Sequence, residues 1–241
     1  MGPADVAATA HIYVERLDDT IRVGGDDGHH LTRVRRLRPD EIVTAADGYG
    51  RWRAYVVDAV EGGTVGLHAT SDFAHEVPLA PRLSVACALT KGERPELVVQ
   101  KLTELGVDTI VLVQAARSVV RWDADRERTA MERLRRIARE AGAQCRRARL
   151  PVVDGPVPLP DLADRPGLVV ADRDGAPAGA LPEPPDGEWI VVVGPEGGLD
   201  RSEHELFADA PRLSVGHFVL RAETAAIAAA AALAGRRSRS T

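Results

Sequence analysis

The sequence predicts an α/β protein: a mostly parallel sheet covered by helices, preceded by a small β-barrel-like domain. Three observations predict it. The first seventy residues hold short β-branched or aromatic-rich runs separated by glycine-containing turns. From Arg82 onward, short apolar runs alternate with helical periodicity, the rhythm of a parallel sheet. Near the end stand Val191-Val-Val-Gly-Pro-Glu-Gly-Gly-Leu199 and, fifteen residues on, Ser214-Val-Gly-His-Phe-Val-Leu-Arg-Ala-Glu-Thr224. Each passes from an apolar run through a glycine-marked turn to residues that open a helix. Such units place two irregular loops at one edge of one sheet, where open α/β folds bind ligands.

In chain order, strands are expected at His11–Val14, Glu41–Thr44, Arg51–Val57 and Thr64–His68, with turns at Gly24-Gly25, Asp47-Gly48 and Gly62-Gly63. His29–Arg36 is the one helix expected there. Ala74–Pro81, with two prolines and little periodicity, reads as the linker between domains at 1–74 and 82–241. Leu83–Leu89 is a buried strand. Pro95–Leu105 is a helix with proline in its first turn and Gly106 at its end. Thr109–Val113 is the next strand. Asp125–Ala141 is a long helix whose Met131, Leu134, Ala138 and Ala141 form a core stripe. Leu168–Ala171 and Trp189–Val193 are further strands, Pro151–Pro185 reads as a proline-rich surface course, and an alanine helix starts near Ala222.

A chain of 241 residues with 44% hydrophobic content can bury a sizeable core. No basic start followed by an apolar run marks a signal peptide, and Ala225–Gly235 is too short and weakly apolar to span a bilayer. A cytoplasmic location is expected, with Cys87 and Cys145 as free thiols. The histidines, including adjacent His29 and His30, show no metal-ligand spacing, so no metal is expected. Net charge is −5, yet Leu31–Arg38 carries four arginines without an acid, and residues 126–149 hold nine arginines against three glutamates. Two positive surfaces on an acidic body suit a polyanionic partner.

The loop at Gly194 has no Lys-Ser/Thr and lacks GxGxxG spacing, which sets aside the phosphate and dinucleotide loops. Gly197 and Gly198 allow close backbone approach to a ligand. Asp200 or Ser202 suits a helix cap, with Glu203 or Glu205 in the first turn. Arg221 precedes a helix expected to be buried, and a buried guanidinium needs an anionic or carbonyl partner: Glu196, Glu223 or substrate. Lys101 is placed to pair with Glu104.

Taken in order, the two C-terminal loops, Lys91–Gly106, Arg117-Ser-Val-Val120 and Gln144-Cys-Arg-Arg-Ala-Arg-Leu-Pro151 resemble the RsmE-type ribosomal RNA methyltransferases of the SPOUT (trefoil-knot) superfamily. His29-His-Leu-Thr-Arg-Val-Arg-Arg-Leu-Arg38 is similar to that family's PUA-like RNA-binding domain, so the likeness covers nearly the whole chain. It implies a PUA-like barrel at 1–74 and a SPOUT domain with a C-terminal knot at 82–241. It implies a homodimer that transfers a methyl group from S-adenosyl-L-methionine to N3 of a uridine in 16S ribosomal RNA or the small ribosomal subunit.

By the same resemblance, Val170, Gly194, Glu196, Gly197, Gly198, Val215, Gly216, Leu220 and Ala222 surround the cofactor. Arg221, Glu223 and Thr224 face the transfer site. Arg33, Arg35, Arg36, Lys91, Arg94, Arg146, Arg147 and Arg149 meet RNA. The chain departs from the family pattern at Ala143, Arg146, Ala148, His217 and Phe218; the family often has glycine where Arg146 stands. Two other readings remain open at this point: an RNA-binding protein that has lost catalysis, and a nucleotide-binding enzyme using the glycine loop for phosphate.

Overall fold

The computed structural model describes residues 2–90 and 94–239. The chain forms two compact units, residues 1–77 with 139–150 and residues 78–138 with 151–241.

The first unit is built on strands β1 (Ala10–Tyr13), β2 (Thr20–Val23), β3 (Ile42–Ala46), β4 (Arg51–Glu61), β5 (Thr64–Ala69) and the short β6 (Ala74–His75). Their order is β1-β3-β4-β5-β2, with β6 on β4; β1 and β3 run parallel and the other pairs antiparallel. Period-two alternation turns Val43, Ala45, Tyr55, Val57, Val65 and Leu67 into a closed core. Gly62 and Gly63 both hold positive φ (56° and 84°), the requirement of the two-residue turn joining β4 to β5. The helix expected at His29–Arg36 starts earlier, as α1 (Gly25–His29), and continues as a wider π-turn over His30–Val34. β2 was not expected from the sequence; Thr20–Val23 is largely exposed, so its apolar alternation is weak.

In the second unit the linker residues Leu79–Ala80 form β7, which pairs antiparallel with β14 (Ser238–Arg239). The main sheet comprises β8 (Arg82–Ala88), β9 (Thr109–Gln114), β10 (Val152–Pro158), β11 (Leu168–Pro177), β12 (Glu188–Val193) and β13 (Arg212–Ser214). Its order is β10-β9-β8-β12-β11-β13, and all five pairings are parallel. Both faces are covered: Leu83 and Val85 pack in one core with Trp189 and Val191, and Ala86 and Ala88 in another with Val192 and Phe207. The helices are α2 (Arg94–Glu104), α3 (Ala124–Cys145), α4 (Arg201–Leu206) and α5 (Ala222–Ala234). α5 packs on α2 and β8, its Ala226, Ala229 and Ala230 fully buried; small side chains permit that close approach. Lys101 pairs with Glu104 at 2.8 Å, as the helical spacing predicts.

β10 corrects the reading of Pro151–Pro185 as a surface course. Pro156 and Pro158 obscure the strand pattern, yet β10 is an edge strand paired only with β9, where a missing N–H is tolerated. Its register shifts between Asp154 and Val157. Among the described residues, no helix is long and apolar enough to cross a membrane.

Candidate active site

Three strands deliver residues to one place. β11 is irregular at Ala171-Asp-Arg-Asp174, where its register on β13 shifts, β12 ends into the Gly194–Gly198 loop, and β13 ends into Val215-Gly216 and the segment before α5. Together they enclose a cavity of about 340 Å³, of the size that holds small ligands. Val170, Gly194, Glu196, Gly198, Val215, Gly216, Leu220 and Ala222 all line it. Gly197 does not: its carbonyl is turned to Arg117, whose Nη1 donates to Gly197 O at 2.9 Å and Leu199 O at 3.2 Å.

The glycine loop is built by its own residues. Gly198 holds φ +68° and its N–H donates to Pro195 O at 2.8 Å. Asp200 caps α4: its Oδ1 accepts from Glu203 N at 2.8 Å, and Glu203 Oε2 accepts from Asp200 N at 2.9 Å. Glu203 is buried and its other oxygen accepts from Ala116 N at 2.7 Å, tying α4 to the loop after β9. The amides of this cap hold the Asp200 carboxyl below the usual carboxylate range.

Asp172, at the irregular middle of β11, also lines the cavity and was not foreseen. Its carboxylate accepts from Asp174 N at 3.0 Å, which lowers its pKa, and Arg212 pairs with it. The available signal was positional: an acidic residue follows the apolar run of β11 at the same sheet edge as the two glycine loops.

Beside the cavity, Arg94 joins the two loops. Its Nη1 lies 2.7 Å from Glu196 Oε1 and its Nε 3.4 Å from Glu223 Oε1. Glu223 is buried, and its Oε2 has no hydrogen-bond partner among the described residues. Arg221 and Thr224, expected near it, flank it on α5 but are exposed. The expectation of a buried Arg221 is therefore corrected: Arg221 sits at the helix N-cap with its side chain in solvent, and Arg94 is the arginine that pairs with Glu196 and Glu223.

The remaining basic candidates, apart from Lys91, belong to the first unit. Arg33, Arg35 and Arg36 are exposed. Arg146 holds φ +59°, which explains a preference for glycine at this position, and its guanidinium donates to the carbonyls of Val6 and Ala8. The Arg147 carbonyl accepts from the Tyr13 hydroxyl at 2.6 Å. Arg149 lies half-buried against Gly50. Lys91 lies outside the described residues.

Val193, Leu213 and Leu220 supply apolar wall, while Gly198 and Gly216 leave open space where a Cβ would stand. Asp172 and Glu196 supply carboxylates. That donor set fits a ligand with a flat apolar ring, hydroxyls and a positive centre, as S-adenosyl-L-methionine has.

A covered parallel sheet carrying such a cavity, in a chain that also has a small β-rich unit, agrees with the class that the family models show: a SPOUT-type RNA methyltransferase with a PUA domain. The family model described as RNA methyltransferase domain matches residues 76–234, and the RNA methyltransferase PUA domain matches residues 23–65. The chain is 38% identical to ribosomal RNA small subunit methyltransferase E of Mycobacterium bovis, covering 92% of this chain and 89% of that one. It is 29% identical to the Bacillus subtilis protein of the same name, over 89% of each. A ribosomal RNA small subunit methyltransferase E from Neisseria gonorrhoeae, bound to S-adenosyl methionine, superposes with TM-score 0.80 at 25% identity, covering 93% of this chain and 96% of that one. A Legionella pneumophila structure in complex with the cofactor gives TM-score 0.83 at 27% identity, over 96% and 98%. The chain belongs to the ribosomal RNA small subunit methyltransferase E family.

Proposed function

We propose that this chain transfers a methyl group from S-adenosyl-L-methionine to N3 of a uridine in 16S ribosomal RNA. The observation that carries the reading is the cavity at the ends of β12 and β13 and the irregular middle of β11, with the buried Glu223 carboxylate beside it. Bound S-adenosyl-L-methionine supplies an electrophilic methyl on its sulfonium, so the protein's task is position and electrostatics. Gly194, Gly198 and Gly216 bring backbone to the cofactor, Val170, Val215, Leu220 and Ala222 give it apolar wall, and Glu196 with Asp172 favours its positive centre. Gly197 acts indirectly, through the bond from Arg117 that shapes the loop.

The uridine N3 proton must leave as the methyl arrives. Glu223 Oε2, an acceptor without a donor among the described residues, is suited to take it as general base, while Arg94 holds the other carboxylate oxygen. Arg221 has no ion pair among the described residues and is free to meet the charge that develops on the flanking carbonyl oxygens. Thr224 adds a hydroxyl on the same turn. Arg33, Arg35, Arg36, Lys91, Arg147 and Arg149 serve the RNA backbone. The reading extends to a cytoplasmic homodimer: exposed Phe218 and Val219 at the lip of the cavity are suited to cover by a second copy.

The test has two arms. Calorimetry is expected to detect S-adenosyl-L-methionine and not ATP, and mass mapping of ribosomal RNA from a deletion strain is expected to lack one uridine methylation. No cofactor binding at millimolar concentration, or an unchanged uridine, overturns the reading.

A further inference from the structure

The first unit carries an arrangement that the arginine runs do not account for. Asp47-Gly-Tyr-Gly50 joins β3 to β4 and leaves Tyr49 81% exposed. Its backbone is pinned. Asp47 Oδ1 accepts from Tyr49 N at 2.7 Å and from Arg51 N at 3.1 Å. Gly50 N donates to Ala148 O, Leu150 N to Gly48 O, and Glu76 N to Gly50 O, at 3.2, 2.9 and 2.8 Å. A large aromatic ring is thus held in water on a loop whose course is set before any ligand arrives, which spares a ligand the cost of ordering it.

Arg149 stands on the facing segment, bridged through its backbone to Gly48 and Tyr49. Its guanidinium lies over Gly50, where an added Cβ would come 2.6 Å from Nη2. Its Nε is buried without a hydrogen-bond partner, and no carboxylate among the described residues pairs with it. A planar guanidinium packed in place, with no carboxylate among the described residues to answer its charge, suits an oxyanion such as phosphate, two of whose oxygens match its fork.

We propose that Tyr49 and Arg149 form a nucleotide subsite for an unpaired stretch of RNA, the ring stacking on a base and the guanidinium binding the adjoining phosphate. The proposal rests on the reading of this chain as an RNA methyltransferase and adds the state of the RNA it grips. A base within a duplex has both faces stacked and offers none to Tyr49, so the subsite discriminates in favour of unpaired segments. Gly50 holds φ +108°, a conformation that favours glycine, and a side chain there would also push the guanidinium aside.

Fluorescence anisotropy on the full chain, with a labelled single-stranded RNA and a duplex of equal length across a salt series, tests it. Tyr49→Ala is expected to weaken single-strand binding about tenfold, with the salt dependence kept and duplex binding unmoved. Tyr49→Trp is expected to restore the affinity. Arg149→Gln is expected to weaken binding and lower the slope of log K against log salt by about 0.7, the release of one phosphate contact. Wild-type affinity in both Tyr49→Ala and Arg149→Gln overturns the subsite, as does an equal loss on duplex. A wild-type chain that binds no RNA and transfers no methyl overturns the functional reading itself, so the two failures are told apart.

Discussion

At the scale of single residues, the candidate site turns on which arginine meets which carboxylate. Arg94 was expected at the RNA, and it engages Glu196 and Glu223; Arg221 was expected to be buried, and it stands in solvent. Sequence spacing cannot make that distinction, because α2 and α5 are neighbours only in the folded sheet. Two outcomes follow from the geometry. Arg221→Ala is expected to bind S-adenosyl-L-methionine as the wild type does and to lose turnover; equal loss of both would make Arg221 structural. Glu223→Gln keeps the shape and removes the basic oxygen, so single-turnover methyl transfer is expected to fall about a hundredfold or more with cofactor affinity preserved. Undiminished transfer by Glu223→Gln would remove it as the base.

At the scale of elements, the glycine loop owes its shape to the pieces on either side as much as to its glycines. Arg117 holds two of its carbonyls, and the Asp200–Glu203 box fixes the start of α4. Arg117→Ala is expected to weaken cofactor binding about tenfold, the cost of about 1.4 kcal/mol for freeing the loop, with little change in melting temperature. Asp200→Ala removes the cap and is expected to cost about 1 kcal/mol of stability, read from denaturant midpoints. The cap was legible in the sequence because it is local: Asp200 and Glu203 lie within one turn. The hold by Arg117 was not, since it joins residues eighty positions apart. β10 escaped for a related reason: its prolines argue against a strand unless it is known to lie at the sheet edge.

At the scale of the whole molecule, stability has a pH dependence that one buried histidine sets in the first unit. The Arg147 carbonyl, 2.9 Å from His11 Nε2, can only accept, so Nε2 carries the proton and Nδ1 accepts from the Thr44 hydroxyl at 2.8 Å. Burial lowers the His11 pKa from 6.5 to about 4; the bond to Arg147 opposes this and the Arg146 charge adds to it. Between those values the unfolded chain binds more protons than the folded one. The His11 contribution is therefore full above about pH 6.5, falls as pH drops through the window, and levels off below about pH 4, where the lowered carboxyls of Asp172 and Asp200 add their own loss. By about pH 5 the loss is on the order of 2 kcal/mol, and urea unfolding of the wild type against His11→Gln is expected to show it. Parallel pH profiles in the two proteins would mean that folding leaves the His11 pKa unchanged.

The sequence by itself determined the α/β class and the strand–glycine–helix units, and through its family resemblance eight of the nine residues expected around the cofactor do line the cavity. Apolar periodicity, turn glycines and helix caps are properties of neighbours along the chain. The remainder depended on the strand order β10-β9-β8-β12-β11-β13. That order, which follows no simple progression along the chain, brings Asp172 to the same edge as Gly194 and Gly216, and packing of α2 on α5 brings Arg94 to Glu223. Likewise only the folded first unit places Arg149 against Gly50 and beside Tyr49. The physical reason is common to all three: the pairs that shape the sites are far apart in sequence, and only burial of the sheet faces and helix stripes decides which distant residues meet.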